Sequence, residues 1–250
     1  MSSLFATAGY SIRTTRNDHD IEAAQRLRYK IFNLELGEGL ASSQLSGLDA
    51  DPFDAQCDHL IIEDQETGAA IGTYRLQTGA MAAAGRGYYS EQEFDFSPYE
   101  PMRHQIVELG RACVHIDHRN RSVIDLLWRG IARYAENCGA RYLIGCSSLT
   151  SQDPAEGWTL YRQLGEKYLA PSPLRTEPIG NYVMPPAAED SLPVATPKLF
   201  AAYLTIGSMI AGAPALDRAF KTIDFLTILD IENMSRAGKK RYFKGNGEHV

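Results

Sequence analysis

The sequence predicts an α/β (α+β) protein with a helical extension at its C-terminal end. Three observations carry that expectation. Residues 106–146 read as strand, loop, helix and strand, a βαβ-like unit. Two apolar runs, His59–Glu63 and Ala69–Gln77, flank the turn signal Asp64-Gln65-Glu66-Thr67-Gly68 and so read as a hairpin. Beyond the prolines at 185, 186, 193 and 197 the chain changes character, and Leu199–Ile210 is apolar with small residues. A core over 10–197 and an extension over 198–250 packed on it follow.

The remaining elements follow in order. Met1–Gly9 reads as a loose start and Tyr10–Thr15 as a strand. Asp18 and Asp20 precede an amphipathic helix, Ile21–Leu36, with apolar positions at Ile21, Ala24, Leu27, Ile31 and Leu34. Gly37–Gln56 is a long polar loop of the kind that often carries function. Gly79–Gly87 reads as a small-residue loop, and Tyr88–Asp95 as a short strand or turn. Ile106–His115 is a strand, with Gly110 marking a bulge or a close backbone approach. Ser122 is the expected N-cap of the next helix, and Gly139 its left-handed end. Arg141–Cys146 is a short buried strand, Pro154–Tyr168 a helix and Ile179–Met184 a strand.

A net charge of -6 argues against general nucleic-acid binding. The four cysteines form no Cys-x-x-Cys pair, and the N-terminus shows no charged start followed by an apolar run. Reduced thiols in a cytoplasmic protein are expected. Cys113, His115 and His118 read as a buried thiol and loop histidines, with no metal site. Arg119, Arg121, Arg129 and Arg133 face only Asp125 along their stretch. A helix N-terminus beside them offers N–H donors and partial positive charge to a phosphate. A solvated basic loop fits those residues equally well.

The element order resembles the GCN5-related N-acetyltransferases, which implies a mixed central sheet flanked by helices. The Arg/Gln-x-x-Gly-x-Gly/Ala phosphate loop of that fold is replaced by Arg119-Asn120-Arg121-Ser122-Val123-Ile124. That smaller cradle suits a single phosphate, as on an acyl carrier protein. Arg28, Phe32, Asp51, Asp54, Arg75 and Glu108-x-x-Arg111 resemble the polar pattern of acyl-homoserine-lactone synthases. The sequence is more similar still to bacterial ornithine-lipid N-acyltransferases and N-acyl amino acid synthases, from about Arg28 to Met234. The motifs are Arg28-Tyr29-Lys30-Ile31-Phe32, Cys57-Asp58-His59-Leu60, Gly72-Thr73-Tyr74-Arg75-Leu76, Tyr89-Ser90-Glu91-x-Glu93-Phe94-Asp95 and Glu108-Leu109-Gly110-Arg111-x-Cys113-Val114. Gly145-Cys146-Ser147-Ser148 and Gly212-Ala213-Pro214-Ala215-x-Asp217-x-x-Phe220-x-Thr222-x-Asp224-Phe225 complete them.

The resemblance implies an acyltransferase that moves a long-chain acyl group, plain or 3-hydroxylated, from an acyl carrier protein to the amine of an amino acid, with ornithine the first candidate. No cofactor is implied beyond the donor's phosphopantetheine thioester. Glu108 is the candidate base, with Arg111 beside it; a Glu108–Arg111 structural ion pair is the competing role. Arg28, Arg75 and Arg111 would hold an acceptor carboxylate. Asp51, Asp54 and Asp58 would face a cationic side chain or form a solvated acidic loop. Phe32, Phe53, Tyr74 and Phe94 would line an acyl channel or be ordinary core. Val114, His115, Arg119, Arg121 and Ser122 are the implied donor-binding residues. Peripheral contact with the inner membrane face is expected of the 198–250 segment and its basic residues Lys239, Lys240, Arg241 and Lys244. Two other functions stay open: an acyl-homoserine-lactone synthase and a non-catalytic acyl-binding module.

Overall fold

The computed structural model describes residues 4–7, 9–187 and 191–243. The chain runs β1 (Phe5–Thr7), β2 (Tyr10–Thr15), α1 (Asp18–Tyr29), α2 (Ser43–Ser46), β3 (Asp58–Asp64), β4 (Ala70–Thr78) and α3 (Gly79–Ala84). It continues through β5 (Ile106–Val114), α4 (Arg121–Cys138), β6 (Tyr142–Leu149), α5 (Pro154–Tyr168), α6 (Lys198–Ile206), β7 (Met209–Ile210), β8 (Ala215–Asp217) and β9 (Thr222–Asp230). The strands form one sheet in the order β1-β2-β3-β4-β5-β6-β9-β7, with β8 on β9. The β5–β6 pair is parallel and the others are antiparallel. A parallel pair needs a crossover, and α4 supplies it.

The helical period of α4 explains where it lies. Val123, Leu126, Leu127, Ile131 and Tyr134 share one face and bury against Ile12, Leu60, Ile62, Leu76 and Leu143 of the sheet. Asn120 starts this helix, because its side chain accepts from the N–H of Val123 at 3.1 Å; the expected cap, Ser122, is already inside the first turn. Gly139 ends it in the left-handed conformation. The opposite sheet face is covered by Tyr88, Phe94, Phe96 and Tyr99, which pack on Ile106, Ile144 and Ile228.

Several expectations are corrected. The segment after residue 197 is not a helical extension: α6 is followed by strands, and β9 pairs with β6 over eight positions, from Tyr142↔Asp230 to Leu149↔Ile223. The boundary at 197 therefore does not divide the sheet. Apolar and acidic positions alternate over Pro214–Met234, and within that stretch all nine residues of Thr222–Asp230 are buried. Ile179–Met184 holds a 3-10 turn, with Val183 making one bridge to Ala215. Gly79–Ala84 is a helix capped by Thr78, and Phe5–Thr7 adds an edge strand to the loose start. The helix from Asp18 loses its regular pitch after Tyr29 and continues as a π-helix over Lys30–Glu35.

Truncation after Pro197 should remove the strand that covers the β6 edge. We expect far-UV circular dichroism and thermal melts of the shortened chain to show no cooperative transition, where the full chain shows one.

Candidate active site

The site begins where two strands part. β5 and β6 pair at Ile106↔Tyr142, Val107↔Leu143 and Glu108↔Ile144, and there the ladder stops. Beyond it β5 stays with β4, and β6 stays with β9. Gly145 sits at the apex, where a Cβ would overlap the Leu109 carbonyl. Among the described residues, the β5 edge after Glu108 faces this wedge with no partner strand.

A bulge then turns β5. Arg75 pairs with Gly110 and Thr73 with Cys113, so Arg111 and Ala112 together oppose Tyr74. Arg111 takes a φ of +52°, so the bulge falls one residue after the expected Gly110. Such a backbone costs a β-carbon residue of order 1–3 kcal/mol and persists where its surroundings hold it. Here Asp51 holds Arg111 at 3.0 Å and Asp49 at 3.5 Å, and the rings of Phe220 and Tyr89 lie 4.3 and 5.0 Å from its guanidinium carbon.

Arg111 belongs to a buried network of three arginines and three aspartates. Arg28 contacts Asp49 at 2.9 Å and Asp54 at 2.7 Å, and Arg75 reaches Asp51 at 2.6 Å and Asp54 at 3.0 Å. Burial alone would push the Asp51 and Asp54 carboxyls up, but Arg75 and Arg111 outweigh it at Asp51, and Arg28 and Arg75 at Asp54. Both are held below the ordinary carboxylate range. The long loop thus folds over the sheet because its acids neutralise arginines from α1, β4 and β5. Asp49 is a member that sequence reasoning missed. Asp58 is not a member: it binds Arg16 at 2.5 Å and the Tyr134 hydroxyl at 2.6 Å. Removing one member leaves a buried charge unpaired, which typically costs ~3–5 kcal/mol.

Glu108 lies beside this network without an ion pair to Arg111. Its carboxylate accepts from Tyr89 N and Ser90 N, each at 2.8 Å, and from Ser90 Oγ at 2.6 Å. Burial raises its pKa, and these three donors oppose the rise. The turn at Tyr89–Gln92 is therefore anchored on Glu108. Tyr89 also stacks on Phe53 and sends its hydroxyl toward Asp217 at 3.5 Å.

From Ser90 a chain of contacts continues to Cys146 Sγ at 3.5 Å and on to Glu93 Oε2 at 3.7 Å. Glu93 stands beside Asp224, and both are buried. Desolvation and the neighbouring Asp224 and Asp217 hold Glu93 well above the usual carboxylate range. Desolvation, partly countered by Ser148, pushes Asp224 to about 6. Glu93, Asp217 and Asp224 stood in the sequence motifs, but nothing in their spacing marked them as buried neighbours.

The implied donor residues lie at the far end of β5. Val114 pairs with Gly72, and its carbonyl accepts from Arg119 Nε at 2.9 Å. His115 Nε2 lies 2.6 Å from Lys30 Nζ. Glu35 holds Arg119 at 2.6 and 2.8 Å. Arg121 is largely exposed, 4.0 Å from Asp125, and Ser122 is exposed at the start of α4. The basic island is thus partly neutralised: Arg133 pairs with Glu136, and Arg129 lies over Phe5. The four expected channel aromatics do not line one path. Phe32 meets Phe220 edge-on and Phe53 joins Tyr89, while Tyr74 packs under α4 and Phe94 packs on the opposite sheet face.

A sheet that opens between a parallel pair, with a helix N-terminus beyond it, defines an acyltransferase of the acetyltransferase (GNAT) class. The family model with that description matches residues 27–129. The chain belongs to the L-ornithine N(alpha)-acyltransferase family. It is 32% identical to the Rhodobacter capsulatus protein of that name over 95% of this chain and 96% of the other. The Brucella abortus protein of the same name is 31% identical, with 90% and 85% covered. Among solved structures the fold is similar to FeeM, an N-acyl amino acid synthase from uncultured soil microbes, with a TM-score of 0.52, 11% identity and 90% and 92% coverage. TofI, solved with an inhibitor and MTA, gives 0.52 at 16% identity with 92% and 96% coverage.

The two acid groups set opposite pH dependences. Asp51 and Asp54 titrate below the unfolded value of about 3.9, so their stabilisation is complete above it and lost as pH falls. Asp224 titrates at about 6, so between about pH 4 and 6 the folded state binds more protons than the unfolded. Stability from this group falls as pH rises through that window. Asp224→Asn should therefore stabilise the unliganded protein at pH 8 by roughly 1–3 kcal/mol and much less at pH 4.5, read as melting temperatures at both values.

Proposed function

We propose that this chain transfers a long-chain fatty acyl group from the phosphopantetheine thioester of an acyl carrier protein to the α-amine of ornithine. The relatives' shared name supports the acceptor and the reaction. The single observation that carries the reading is the wedge after Glu108 and Gly145, with a buried carboxylate at its apex.

The thioester enters the wedge, and unpaired N–H groups of β5 polarise its carbonyl oxygen. The neutral amine attacks the carbonyl carbon, and Glu108 takes its proton. The C–N bond forms, the C–S bond breaks, and the thiolate leaves with a proton. Glu108 is held in place by Tyr89 N and Ser90 N. Its raised pKa moves a carboxylate toward the range of a base at neutral pH. Arg111 offers the acceptor carboxylate Nη1, which makes no hydrogen bond among the described residues. Arg28 and Arg75 position Arg111 through the shared aspartates.

Arg121, the N-terminus of α4 and Lys30 give the outer end of β5 a positive rim for an acidic carrier. Acyl carriers act in the cytoplasm, so this reading carries with it a cytoplasmic site of action and peripheral membrane contact. No helix among the described residues is long and apolar enough to cross a membrane. Leu199 is the exposed large apolar side chain of α6. Arg241 is bound to Asp125, Lys239 donates to the Glu232 carbonyl at 2.5 Å, and Lys240 is exposed; Lys244 lies outside the described residues.

Glu108→Gln should lower kcat ~10²–10⁴-fold with a small change in the KM for ornithine, measured by release of carrier thiol. Near-full activity across pH would make Glu108 purely an anchor for the 89–92 turn. Arg121→Glu should raise the KM for acyl carrier several-fold, more than for an acyl-pantetheine donor. Added salt should shrink the difference, since exposed charges are screened over ~8–10 Å.

A further inference from the structure

We propose that Glu38, Glu93, Asp217 and Asp224 form a buried receptor for the side-chain ammonium of a diamino acid acceptor, and that this receptor selects it over neutral amino acids. The inference rests on the amino-acid acyltransferase reading above.

All four residues are buried, Glu93 at 0% and Asp224 at 4% exposure. Among the described residues no donor is placed on Glu93 Oε1 or Asp224 Oδ1, and the two carboxyls lie close enough to share a proton. Ligand atoms of Glu93, Asp224 and Cys146 all lie within 4.8 Å of one another. Asp217 Oδ1 accepts from the N–H groups of Ala219 and Phe220, and Glu38 accepts from the Thr150 hydroxyl. No arginine or lysine among the described residues pairs with any of the four, whereas Asp49, Asp51 and Asp54 are all matched by arginines. A buried anion without a counter-charge is costly. Two buried carboxyls this close together, each with an oxygen that no donor satisfies, therefore mark a place for a cation. An ammonium supplies three donors and one charge there.

The position fits the reaction. Ser90 and Cys146 are the two groups that separate Glu108 from Glu93. Tyr89 spans the same interval, with its N–H on Glu108, its ring on Arg111 and its hydroxyl toward Asp217. An amino acid with its α-amine at Glu108 and its carboxylate on Arg111 would direct a second amine toward the four acids. Burial and the neighbouring acids raise Glu93 well above the ordinary carboxylate range and Asp224 to about 6, so protons and the ammonium compete. The other titratable groups facing the cluster are Cys146, Tyr89 and Tyr182. Acceptor affinity should fall as pH is lowered from 8 to 5.5.

The test compares ornithine with norvaline, which lacks the second amine, as acceptors for the full chain and an acyl carrier thioester. The wild type should prefer ornithine. Asp224→Asn and Glu93→Gln should each cut kcat/KM for ornithine about 30-fold or more, chiefly through KM, since truncating one partner of a buried charge pair typically costs 2–5 kcal/mol. Norvaline should change much less, so the preference collapses; Asp224→Glu should restore part of it. Melts establish that each variant is folded, and Glu93→Gln carries the test if Asp224→Asn is not. An unchanged ornithine-to-norvaline ratio in folded variants would overturn the inference while leaving the acyltransferase reading intact. If the wild type acylates neither, that reading fails, and thermal shift at pH 8 decides the receptor. A rise with ornithine, absent with norvaline and lost in Asp224→Asn, sustains it. A rise with zinc or magnesium chloride alone overturns it in favour of a metal site.

Discussion

The parting of β5 from β6 is the constraint on which the rest of this structure depends. A parallel pair that continued past Glu108 would close the sheet and satisfy its own backbone. Because it stops at Ile144, one strand edge must be completed by something other than the fold. The features around the opening keep it from collapsing. Gly145 lets the strands touch at the apex, the bulge at Arg111 swings β5 toward the loop side, and α4 fixes the spacing from behind.

Two sets of carboxylates flank this opening and differ in one respect. The first set is neutralised inside the protein, so it glues the 37–56 loop to the sheet whether or not substrate is present. The second set has no internal counter-charge, so its energy depends on what occupies the site. This asymmetry explains why Asp51 and Asp224 are shifted in opposite directions: two guanidinium groups outweigh burial at Asp51, whereas at Asp224 burial is reinforced by the neighbouring Asp217. A ground state left unsatisfied at one place is a common cost of function.

Periodicity made much of the fold legible. The 59–77 hairpin and the helix from Val123 show their patterns in local sequence, and the parallel crossover follows from them. What periodicity missed was governed by distant partners. Apolar and acidic positions alternate over Pro214–Met234, but Asp224 and Asp230 are buried by elements elsewhere in the chain; Arg141 pairs with Asp230 at 2.9 Å. Membership of Arg28, Asp51, Asp54, Arg75 and Arg111 in one cluster came through family resemblance, and their mutual pairing did not. Asp58 was misplaced because the first residue of β3 points toward Tyr134 rather than into the loop. Asp49 carried no signal beyond its place in a polar loop.

The place of β9 beside β6 also orders events during synthesis. When Leu149 leaves the ribosome, every strand from β1 to β6 and the helix α4 have been made, but the strand that completes the β6 edge has not. Asp217 and Asp224 arrive only with the last strands, several seconds later at ordinary rates of ~5–20 residues per second. During that interval the nascent chain presents an uncovered β6 edge to its neighbours, a known route to mispairing.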